Sequence, residues 1–487
     1  MLNEYEIKRF IDEDRISEKK HFARTGLRYF DGQHDILNYR IFFIDADGQV
    51  QEDKTKSNIK ICHPFFRILA EQETQYILSG KESIFKSDIP ELQSELDTYF
   101  NSNDDFLSEL YDVILGTVVK GFDYFYAYKD EEGRTAFQCA DSLGVVEVRA
   151  KETDDGCEYV IFWYIDRIGK DNKKIKRIQV WDDAQTFFYV QEDDGAIIKD
   201  ESEKINPRPH TLYKKDNDDA TYYEGFGFIP FIRLDNNKKQ QSGLVPIKDK
   251  IDSYDLMNCG LANNIQDTNE ALYVVKGFQG DNLDELMVNI KAKKHIGVDE
   301  DGAVEIHTID IPYEARKIKM DIDEKNIFRF GCGVNTESLK DTSATVSIAI
   351  KSAYANLDLK CNGFTRGLKK FLRKIVKIVL AEINANNGTD YMQKDVYFNL
   401  EREIITNEQE NAQIRLLEAQ EQQTRVTTIL NTATQFGNEL TMQHLCEVFE
   451  LDYDDLKDKL PKVDDDPYAA QDALDAIETE PEPFVAE

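Results

Sequence analysis

Gly331-Cys-Gly-Val-Asn-Thr-Glu-Ser-Leu-Lys-Asp-Thr-Ser-Ala344 is rich in glycine, serine and threonine, and it lies between two strongly helical patterns. This composition predicts a flexible loop. The charged pattern from Tyr313 to Phe330 predicts the helix before the loop. The pattern after it, over residues 346–385, predicts a helix of roughly 40 residues and roughly 60 Å, longer than an ordinary globular helix. A loop held between two such helices is the feature that decides the fold.

An apolar seam runs along the long predicted helix. Its members alternate steps of three and four residues, and they are Tyr354, Leu357, Cys361, Phe364, Leu368, Phe371 and Ile375. A heptad-like seam is typical of a helix that packs against another helix. We expect it to pack against a neighbouring copy of the chain, because identical subunits in a ring can each bury an apolar stripe against the next.

The same helix carries one basic cluster in an otherwise acidic chain. Asp and Glu number 93 against 60 Lys and Arg, for a net charge of −33. Two interpretations of the cluster stay open: a solvated or intersubunit face opposite the seam, or a surface where DNA passes. Its members are Arg366, Lys369, Lys370, Arg373, Lys374 and Lys377.

A second pair of features lies upstream of the loop. Gly243-Leu-Val-Pro246 opens a helical pattern that reaches about residue 269, with the proline where a first turn tolerates it. Between this helix and the one at Tyr313 lies an insertion, residues 270–312, whose strand-like runs surround Asp299-Glu-Asp-Gly302. The sequence therefore predicts two helices joined by a small mixed segment.

The first 243 residues predict one α+β region. Helices are expected after Pro64 and from Asp104 to Lys120, with Gly121 as a C-terminal cap. From there to about Leu234, aromatic and β-branched runs alternate with turn residues, which predicts an antiparallel meander. Beyond the long helix, residues 395–460 predict a short strand and two helices. From residue 461 the Pro/Asp/Glu/Ala composition is typical of disorder.

Motifs for catalysis or cofactor binding are missing from the sequence. It has no phosphate-binding P-loop, no H-E-x-x-H, no G-x-S-x-G and, among seven cysteines, no C-x-x-C. His63, His210, His295 and His307 look isolated, so we expect no catalytic residue, metal or cofactor. The acidic balance argues against gripping nucleic acid through phosphates, although an acidic wall would let DNA slide past. Neither a signal peptide nor a membrane span is expected.

Five stretches carry a more specific signal. They are Tyr29-Phe-Asp-Gly-Gln-His-Asp-Ile-Leu37, Asn58-Ile-Lys-Ile-Cys-His-Pro-Phe-Phe-Arg-Ile-Leu69, Pro246-Ile-Lys-Asp-Lys-Ile-Asp-Ser-Tyr-Asp255, Ala271-Leu-Tyr-Val-Val-Lys-Gly277 and Phe328-Arg-Phe-Gly-Cys-Gly-Val334. In this order, over residues 20–460, the chain resembles the portal proteins of tailed bacteriophages. The subfamily is the one typified by siphoviruses that infect Gram-positive hosts.

The resemblance implies an α+β portal fold with an α+β wing, a two-helix stem, a small α/β clip, a long wing-spine helix and a helical crown. Its parts, in chain order, are the wing at 1–243, the first stem helix at 244–269, the clip at 270–312, the second stem helix at 313–330, the tunnel loop at 331–345, the wing-spine helix at 346–394, the crown at 395–460 and an acidic, disordered tail at 461–487.

The resemblance also implies a dodecameric ring at one capsid vertex, through which the genome is packaged, retained and ejected. Expected partners are other copies of the chain, double-stranded DNA, the terminase large subunit, the head–tail connector, and the major capsid and scaffolding proteins, with no membrane. The chain would belong to the virion, and to the host cytoplasm during assembly. No enzyme activity is expected.

Two sets of site residues follow from the same resemblance. The DNA channel would be narrowed by the tunnel-loop residues Asn335, Thr336, Glu337, Ser338, Leu339, Lys340, Asp341, Thr342 and Ser343. The clip would meet its partners through Lys291, Lys293, Lys294, Asp299, Glu300 and Asp301.

Two other classes of function stay open from the residues themselves. The many adjacent carboxylates, such as Asp104-Asp105, would suit an acidic hydrolase if one of them had a raised pKa in a deep pocket. The long helices and the acidic tail would also suit an adaptor or scaffold that works as a monomer.

Overall fold

The computed structural model describes residues 2–45, 47–54, 56–130, 132–150, 156–168, 173–193, 195–214, 221–267, 272–278, 298–307, 313–335, 347–402, 408–449 and 453. The chain forms two compact units. The first comprises Met1–Ala344 with Ile350–Ile404, and the second comprises Thr345–Ala349 with Ile405–Glu487. The division falls inside the predicted 395–460 region.

Five α-helices lie within the first 120 residues of the first unit. They are α1 (Glu4–Arg15), α2 (Glu18–Phe30), α3 (Phe65–Ile77), α4 (Pro90–Leu96) and α5 (Asp104–Lys120). The helix α5 ends at Gly121 as predicted, with φ of +96°. A Cβ atom there would lie 2.5 Å from the Gln240 carbonyl oxygen, so both the backbone angle and the close approach require glycine.

Short strands join these helices. The hairpin of β1 (Phe42–Ile44) and β2 (Val50–Glu52) precedes α3, and β3 (Phe85–Lys86) follows it. The strand β3 pairs antiparallel with a strand near the end of the first unit, Tyr397–Phe398.

The predicted antiparallel meander is confirmed. Its strands are β6 (Val145–Val148), β7 (Tyr159–Ile168), β8 (Lys173–Trp181), β9 (Gln185–Glu192) and β10 (Ile197–Lys199), paired in chain order, with β11 (Arg208–Pro209) added to β9. A separate sheet holds β4 (Phe122–Lys129) between β5 (Thr135–Ala140) and β14 (Phe231–Asp235). A further hairpin is formed by β12 (Thr211–Lys214) and β13 (Thr221–Glu224).

The central helices follow the predicted order. They are α6 (Lys248–Asp267) and α7 (Tyr313–Gly331), and the chain between them includes the antiparallel pair β15 (Leu272–Phe278) and β16 (Val298–His307). The two helices run antiparallel, because residues early in α6 contact residues late in α7. The Lys250 ammonium lies 5.4 Å from the Phe330 ring centroid, and the Ser253 hydroxyl donates to Asp323 at 2.8 Å.

The long helix α8 spans Ser347–Asn387, close to the predicted 346–385. All seven residues of the predicted seam are between 0 and 5% exposed in the single chain. Phe371 packs on Phe125 of β4 with ring centroids 5.3 Å apart, and Tyr354 packs on Tyr76 of α3 at 5.6 Å.

The expectation that this seam packs against a neighbouring copy is therefore wrong, since the core of the first unit covers it. Helical spacing shows that one face of a helix is buried, but it does not show which chain supplies the cover.

The second unit contains the helices α9 (Glu408–Phe436) and α10 (Asn438–Val448), which pack on each other as an αα-hairpin. Both agree with the predicted C-terminal helices. No helix in the described part of the chain is long and apolar enough to cross a membrane.

Candidate functional site

An extended segment, residues 57–63, lies along α6 and ties the early part of the chain to the central helices. Every second backbone N–H of this segment is bound by an α6 side chain, and successive partners on α6 are four residues apart. The bonds are Ser57 N to Asp267 Oδ1 (3.2 Å), Ile59 N to Asn263 Oδ1 (2.6 Å), Ile61 N to Cys259 Sγ (3.1 Å) and His63 N to Asp255 Oδ1 (3.1 Å).

The hydrogen bonds repeat because the rise of two extended residues nearly equals the rise of four helical residues. Two residues of extended chain advance about 6.6 Å, and four residues of helix advance about 6.0 Å. The segment can therefore follow the helix for three successive steps without losing its hydrogen bonds. We call this arrangement, residues 57–63 with their four partners on α6, the α6 clasp.

The buried end of the clasp is centred on Asp255. Its Oδ2 atom lies 2.6 Å from His34 Nδ1, and its Oδ1 atom lies 2.7 Å from His63 Nδ1. The other ring nitrogen of His34 faces the Tyr29 carbonyl oxygen at 3.2 Å. Both ring nitrogens of His34 thus lie within hydrogen-bond distance of an oxygen atom, and the contact with Asp255 is fully buried.

His63 belongs to the same network. Its Nε2 atom lies 2.7 Å from the Asn258 side-chain amide, which donates to it, so the proton is on Nδ1. Burial raises the pKa of Asp255, but the hydrogen bonds from His34 and His63 outweigh it and leave the pKa below its ordinary value. The sequence interpretation of His63 as isolated is wrong.

This cluster also holds a third possible metal ligand. The Cys62 sulfur lies within 4.8 Å of ligand atoms of His34 and Asp255. Two ligand atoms bound to one zinc ion would be roughly 3.3 Å apart, given metal–ligand bonds of about 2.0 Å. The 2.6 Å contact between His34 and Asp255 is shorter and fits a shared proton. Burial also raises the pKa of the Cys62 thiol, which favours its protonated form. The cluster is therefore a structural clasp.

A charged cluster surrounds the start of α6. Lys248 lies 2.5 Å from Asp35 and 2.7 Å from Asp252, and Asp252 accepts a hydrogen bond from the Tyr29 hydroxyl. Burial and the hydrogen bond to Asp252 raise the pKa of Tyr29, so its hydroxyl stays protonated. These contacts anchor the near end of α6 to α2.

The basic cluster of α8 forms a continuous exposed face. All six of its Lys and Arg side chains are exposed, and within the described residues none has an ion-pair or hydrogen-bond partner. Other cations of the chain are paired, as in the ion pair of the half-buried Lys360 with Glu73 at 2.8 Å. We call the six residues from Arg366 to Lys377 the α8 basic face.

A cavity of about 900 Å³ opens beside one end of this face. Lys374 and Lys377 are among its lining residues, together with Glu132 and Glu382. Its apolar lining comes from Ile378 of α8 and from the segment before β14, with Phe226, Phe228 and Ile229. We call this cavity the α8 pocket.

The other predicted site residues lie mostly outside the described part of the chain. Of the predicted tunnel-loop site residues, Asn335 to Ser343, only Asn335 is described, and its side chain donates to Glu324 at 3.0 Å. Residues Thr336 to Ser343, and Lys291, Lys293 and Lys294, lie outside the described residues. Asp299, Glu300 and Asp301 belong to β16, and their side chains are not described.

The structure gives little support to an acidic hydrolase. Asp104 and Asp105 are exposed in the first turn of α5, where carboxylates favour the helix dipole. Burial raises the pKa of Asp123 to about 6, although nearby Lys120 opposes it. That side chain is only 1% exposed and accepts from the Ser142 N–H at 2.8 Å, so a substrate cannot reach it.

Comparisons with known sequences match phage portal proteins. Residues 10–438 match the family described as "Phage portal protein, SPP1 Gp6-like". The portal protein of Bacillus phage SPP1 is 26% identical over 392 residues, which cover 80% of this chain and 75% of that protein. The portal protein of Clostridium phage phiCD119 is 30% identical over 201 residues, which cover 40% of this chain and 43% of that protein.

A solved structure also aligns with this chain, with low sequence identity. A chain from "Neck of native GTA particle computed with C12 symmetry" aligns with a TM-score of 0.40 and 10% identity, over 80% of this chain and 90% of that one.

Proposed function

The chain belongs to the SPP1 Gp6-like family of phage portal proteins, and on this premise we propose that its copies form a dodecameric ring at one vertex of the capsid. Duplex DNA passes through the bore of the ring during packaging, is retained there, and leaves by the same route at ejection. The chain acts as a structural conduit, while a separate ATPase moves the DNA.

The observation that carries this proposal is the uneven burial of the α6–α7 pair. Near the core, Ile251 and Ile327 are fully buried. Toward the β15–β16 insertion, four large apolar side chains are 49 to 58% exposed in the single chain: Ile265, Tyr313, Ile318 and Ile322. Apolar side chains repeated along one end of a helix pair need a cover, and adjacent copies around a ring supply it.

The regions of the ring are assigned on the same basis. The pair α6 and α7 is the stem, residues 270–312 between them form the clip, and residues 331–345 form the tunnel loop. The wing comprises residues 1–243 with the spine at 346–394, and the crown comprises 395–460. The α6 clasp supports this assignment, because it joins the stem rigidly to the wing through hydrogen bonds at four successive positions.

Partners follow from these regions. The clip, through Lys291, Lys293, Lys294, Asp299, Glu300 and Asp301, docks the terminase large subunit during packaging and the head–tail connector afterwards. The tunnel-loop residues from Asn335 to Ser343 contact the passing DNA. The rest of the ring meets the major capsid and scaffolding proteins, first in the host cytoplasm and then in the virion.

Sedimentation of the purified full chain tests the proposal. A ring sediments as a particle many times heavier than one 56.3 kDa chain, and negative-stain images of it show a central hole. A chain that stays monomeric at high concentration, with the α6–α7 apolar side chains still exposed, would favour the adaptor hypothesis instead.

A further inference from the structure

The α8 basic face interrupts a chain that is otherwise rich in carboxylates. From Leu359 to Ala381 the sequence has no Asp or Glu, although these two residue types fill 93 of the 487 positions. At 3.6 residues per turn, the six cations fall within an arc of roughly 140° on the side of α8 opposite the buried seam. The face is thus positive, although the whole chain carries a net charge of −33.

The carboxylates that border this face are already paired. Asp358 and Glu382 are the two acidic residues of α8, Glu132 lines the α8 pocket, and the Asp235 backbone approaches Gly367 of α8. Their ion pairs are Asp358 with Arg402 at 3.0 Å, Glu382 with Lys129 at 2.8 Å, Asp235 with Arg233 at 2.8 Å, and Glu132 with Arg134. Within the described residues, the six cations are therefore left without a counter-charge.

A surface turn adds two lysines beside the face. A Cβ atom at Gly367 would lie 3.6 Å from the Asp235 carbonyl oxygen, and the turn that follows Asp235 carries Lys238 and Lys239. Both lysines are exposed, and neither has an ion pair in the part of the chain that the structure describes. Because Gly367 lies about one helical turn before Lys370, the positive surface continues past the edge of the helix.

The composition of the face distinguishes between two kinds of partner. From Asn362 to Lys377, each exposed residue is Asn, Gly, Lys or Arg, and each apolar side chain is buried. Protein–protein interfaces have an apolar core and are depleted in lysine. Interfaces with DNA are polar and strongly positive, because Lys and Arg neutralise phosphates. Four lysines and two arginines with no exposed apolar side chain among them fit a phosphate backbone better than a protein surface.

The size of the face also suits a duplex. Arg366 and Lys377 are separated by roughly 16 Å along α8. Duplex DNA carries one phosphate per about 1.7 Å of its axis, so this length presents about ten phosphates, roughly half of them toward the protein. Six cations are enough to neutralise that number. Their backbone is held in place, because Phe371, Leu372 and Ile375 on the other side of the helix are buried in the core.

We propose that the α8 basic face, with Lys238 and Lys239 at its edge, binds the phosphate backbone of double-stranded DNA without regard to base sequence. The contact rests on the proposed function, which brings duplex DNA to the assembled chain, and it is separate from the tunnel loop. The Lys and Arg side chains donate to phosphate oxygens, which positions the DNA and reads no bases.

Fluorescence anisotropy of a labelled duplex of about 30 base pairs tests the contact, with assembled full chain between about 50 and 200 mM NaCl. The test variant combines Lys370→Gln, Arg373→Gln and Lys377→Gln. We expect the slope of log K against log salt to fall in magnitude by about 2.7, since each lost phosphate contact removes about 0.9. Duplexes of unrelated base sequence should give the same result.

Two matched variants control for net charge. Lys8→Gln with Arg9→Gln and Arg15→Gln removes three exposed cations from α1, which packs against β6 and β10. It should change the affinity by less than about twofold, because salt screens exposed charges beyond a Debye length. Lys370→Arg with Arg373→Lys and Lys377→Arg keeps every charge of the face and should keep the wild-type slope.

Lysine acetylation of the wild-type chain locates the contact without a substitution. Addition of the duplex should slow acetylation of Lys370 and Lys377, read by mass spectrometry. Acetylation of Lys8, which is exposed on α1, should stay unchanged. Protection of Lys8 and Lys370 to the same extent would contradict binding at the face.

The outcomes separate this inference from the function on which it rests. Wild-type rings that do not bind the duplex, or a test variant with the wild-type slope, would overturn the inference and leave the ring intact. A test variant that no longer assembles, with no affinity of the wild type for the duplex, would assign the face to a neighbouring copy instead. A wild-type chain that forms no rings contradicts the proposed function, and the same titration of that chain still decides whether α8 binds DNA.

Discussion

His63 donates to Asp255 twice, from its backbone N–H at 3.1 Å and from its ring Nδ1 at 2.7 Å, and both bonds end on the same carboxylate oxygen. The two residues are 192 positions apart in the chain. These two hydrogen bonds close the buried end of the α6 clasp, so one carboxylate contributes twice to holding the proposed stem against the proposed wing.

Removing that charge should destabilise the first unit. Asp255→Asn keeps the size of the side chain but removes the buried carboxylate that both His34 and His63 contact. A hydrogen bond to a charged group contributes about 1.5–3 kcal/mol. We expect a large drop in Tm, measured by differential scanning calorimetry. Asp12→Asn, at an exposed position of α1, should change stability by no more than about 0.5 kcal/mol. Equal Tm values for the two variants would show that the clasp contributes little.

The same carboxylate predicts a pH dependence. The pKa of Asp255 is lower in the folded chain than in the unfolded chain, where it is about 3.9. Its stabilising effect is therefore fully present above about pH 4 and is lost as the pH falls through the folded pKa. The difference in Tm between wild type and Asp255→Asn should shrink as the pH is lowered from 5 to 3. A difference that is constant over this interval would contradict the assignment.

The buried seam of α8 predicts an effect on the single chain. Phe371→Ala removes a side chain that packs on Phe125 and should cost about 3–5 kcal/mol. Because the seam lies in the chain's own core, the loss in Tm should not depend on protein concentration. Leu359→Ala, at a position of α8 that is 73% exposed, should change stability by about 0.5 kcal/mol or less. A concentration-dependent loss for Phe371→Ala would restore the intersubunit interpretation.

The exposed end of α7 predicts an effect on ring formation with little effect on the stability of the monomer. Ile318→Ser with Ile322→Ser removes apolar surface that is already in water in the single chain. The free energy of unfolding of the monomer should therefore change by less than about 1 kcal/mol. Ring formation should weaken at least tenfold, because the buried apolar area between copies is lost. Sedimentation velocity measures both species. Lys325→Ser, an exposed polar position on the same helix, is the control, and equal assembly by both variants would count against the stem interface.

The loop between α7 and α8 predicts a defect in DNA handling without a defect in assembly. Deletion of residues 337–343 should leave rings that look normal in negative stain, because the composition of this segment predicts a flexible loop and not part of a packed core. Packaged particles should lose DNA faster, measured as nuclease-sensitive DNA over time. Failure of the variant to form rings would mean that the segment is structural.

Helices and the meander could be predicted from the sequence because their signals are local. The predicted 346–385 helix is Ser347–Asn387, and Gly121 ends α5 as expected, since apolar spacing and a left-handed cap residue are both visible within a few positions. The β1–β2 hairpin was missed because three-residue strands are too short for a period of two to emerge.

The contacts that join distant segments could not be predicted. Asp255 meets His34 and His63 across 221 and 192 residues, and nothing in the local pattern of α6 distinguishes it from the surface carboxylates nearby. One signal was available: residues 58–63 and 246–255 both lie in the stretches that resemble portal proteins. The α8 seam was expected to pack on a neighbouring copy, but it packs on the core of its own chain. Helical periodicity shows that a face is buried and does not show which residues bury it.

A three-dimensional reconstruction of the assembled full chain by electron microscopy tests the central claim most directly. We expect a closed ring with the segment after Phe330 facing the symmetry axis, and a bore at least as wide as duplex DNA, about 20 Å by its groove dimensions. A reconstruction that places this segment on the outer rim, or that shows no continuous bore, would contradict the account.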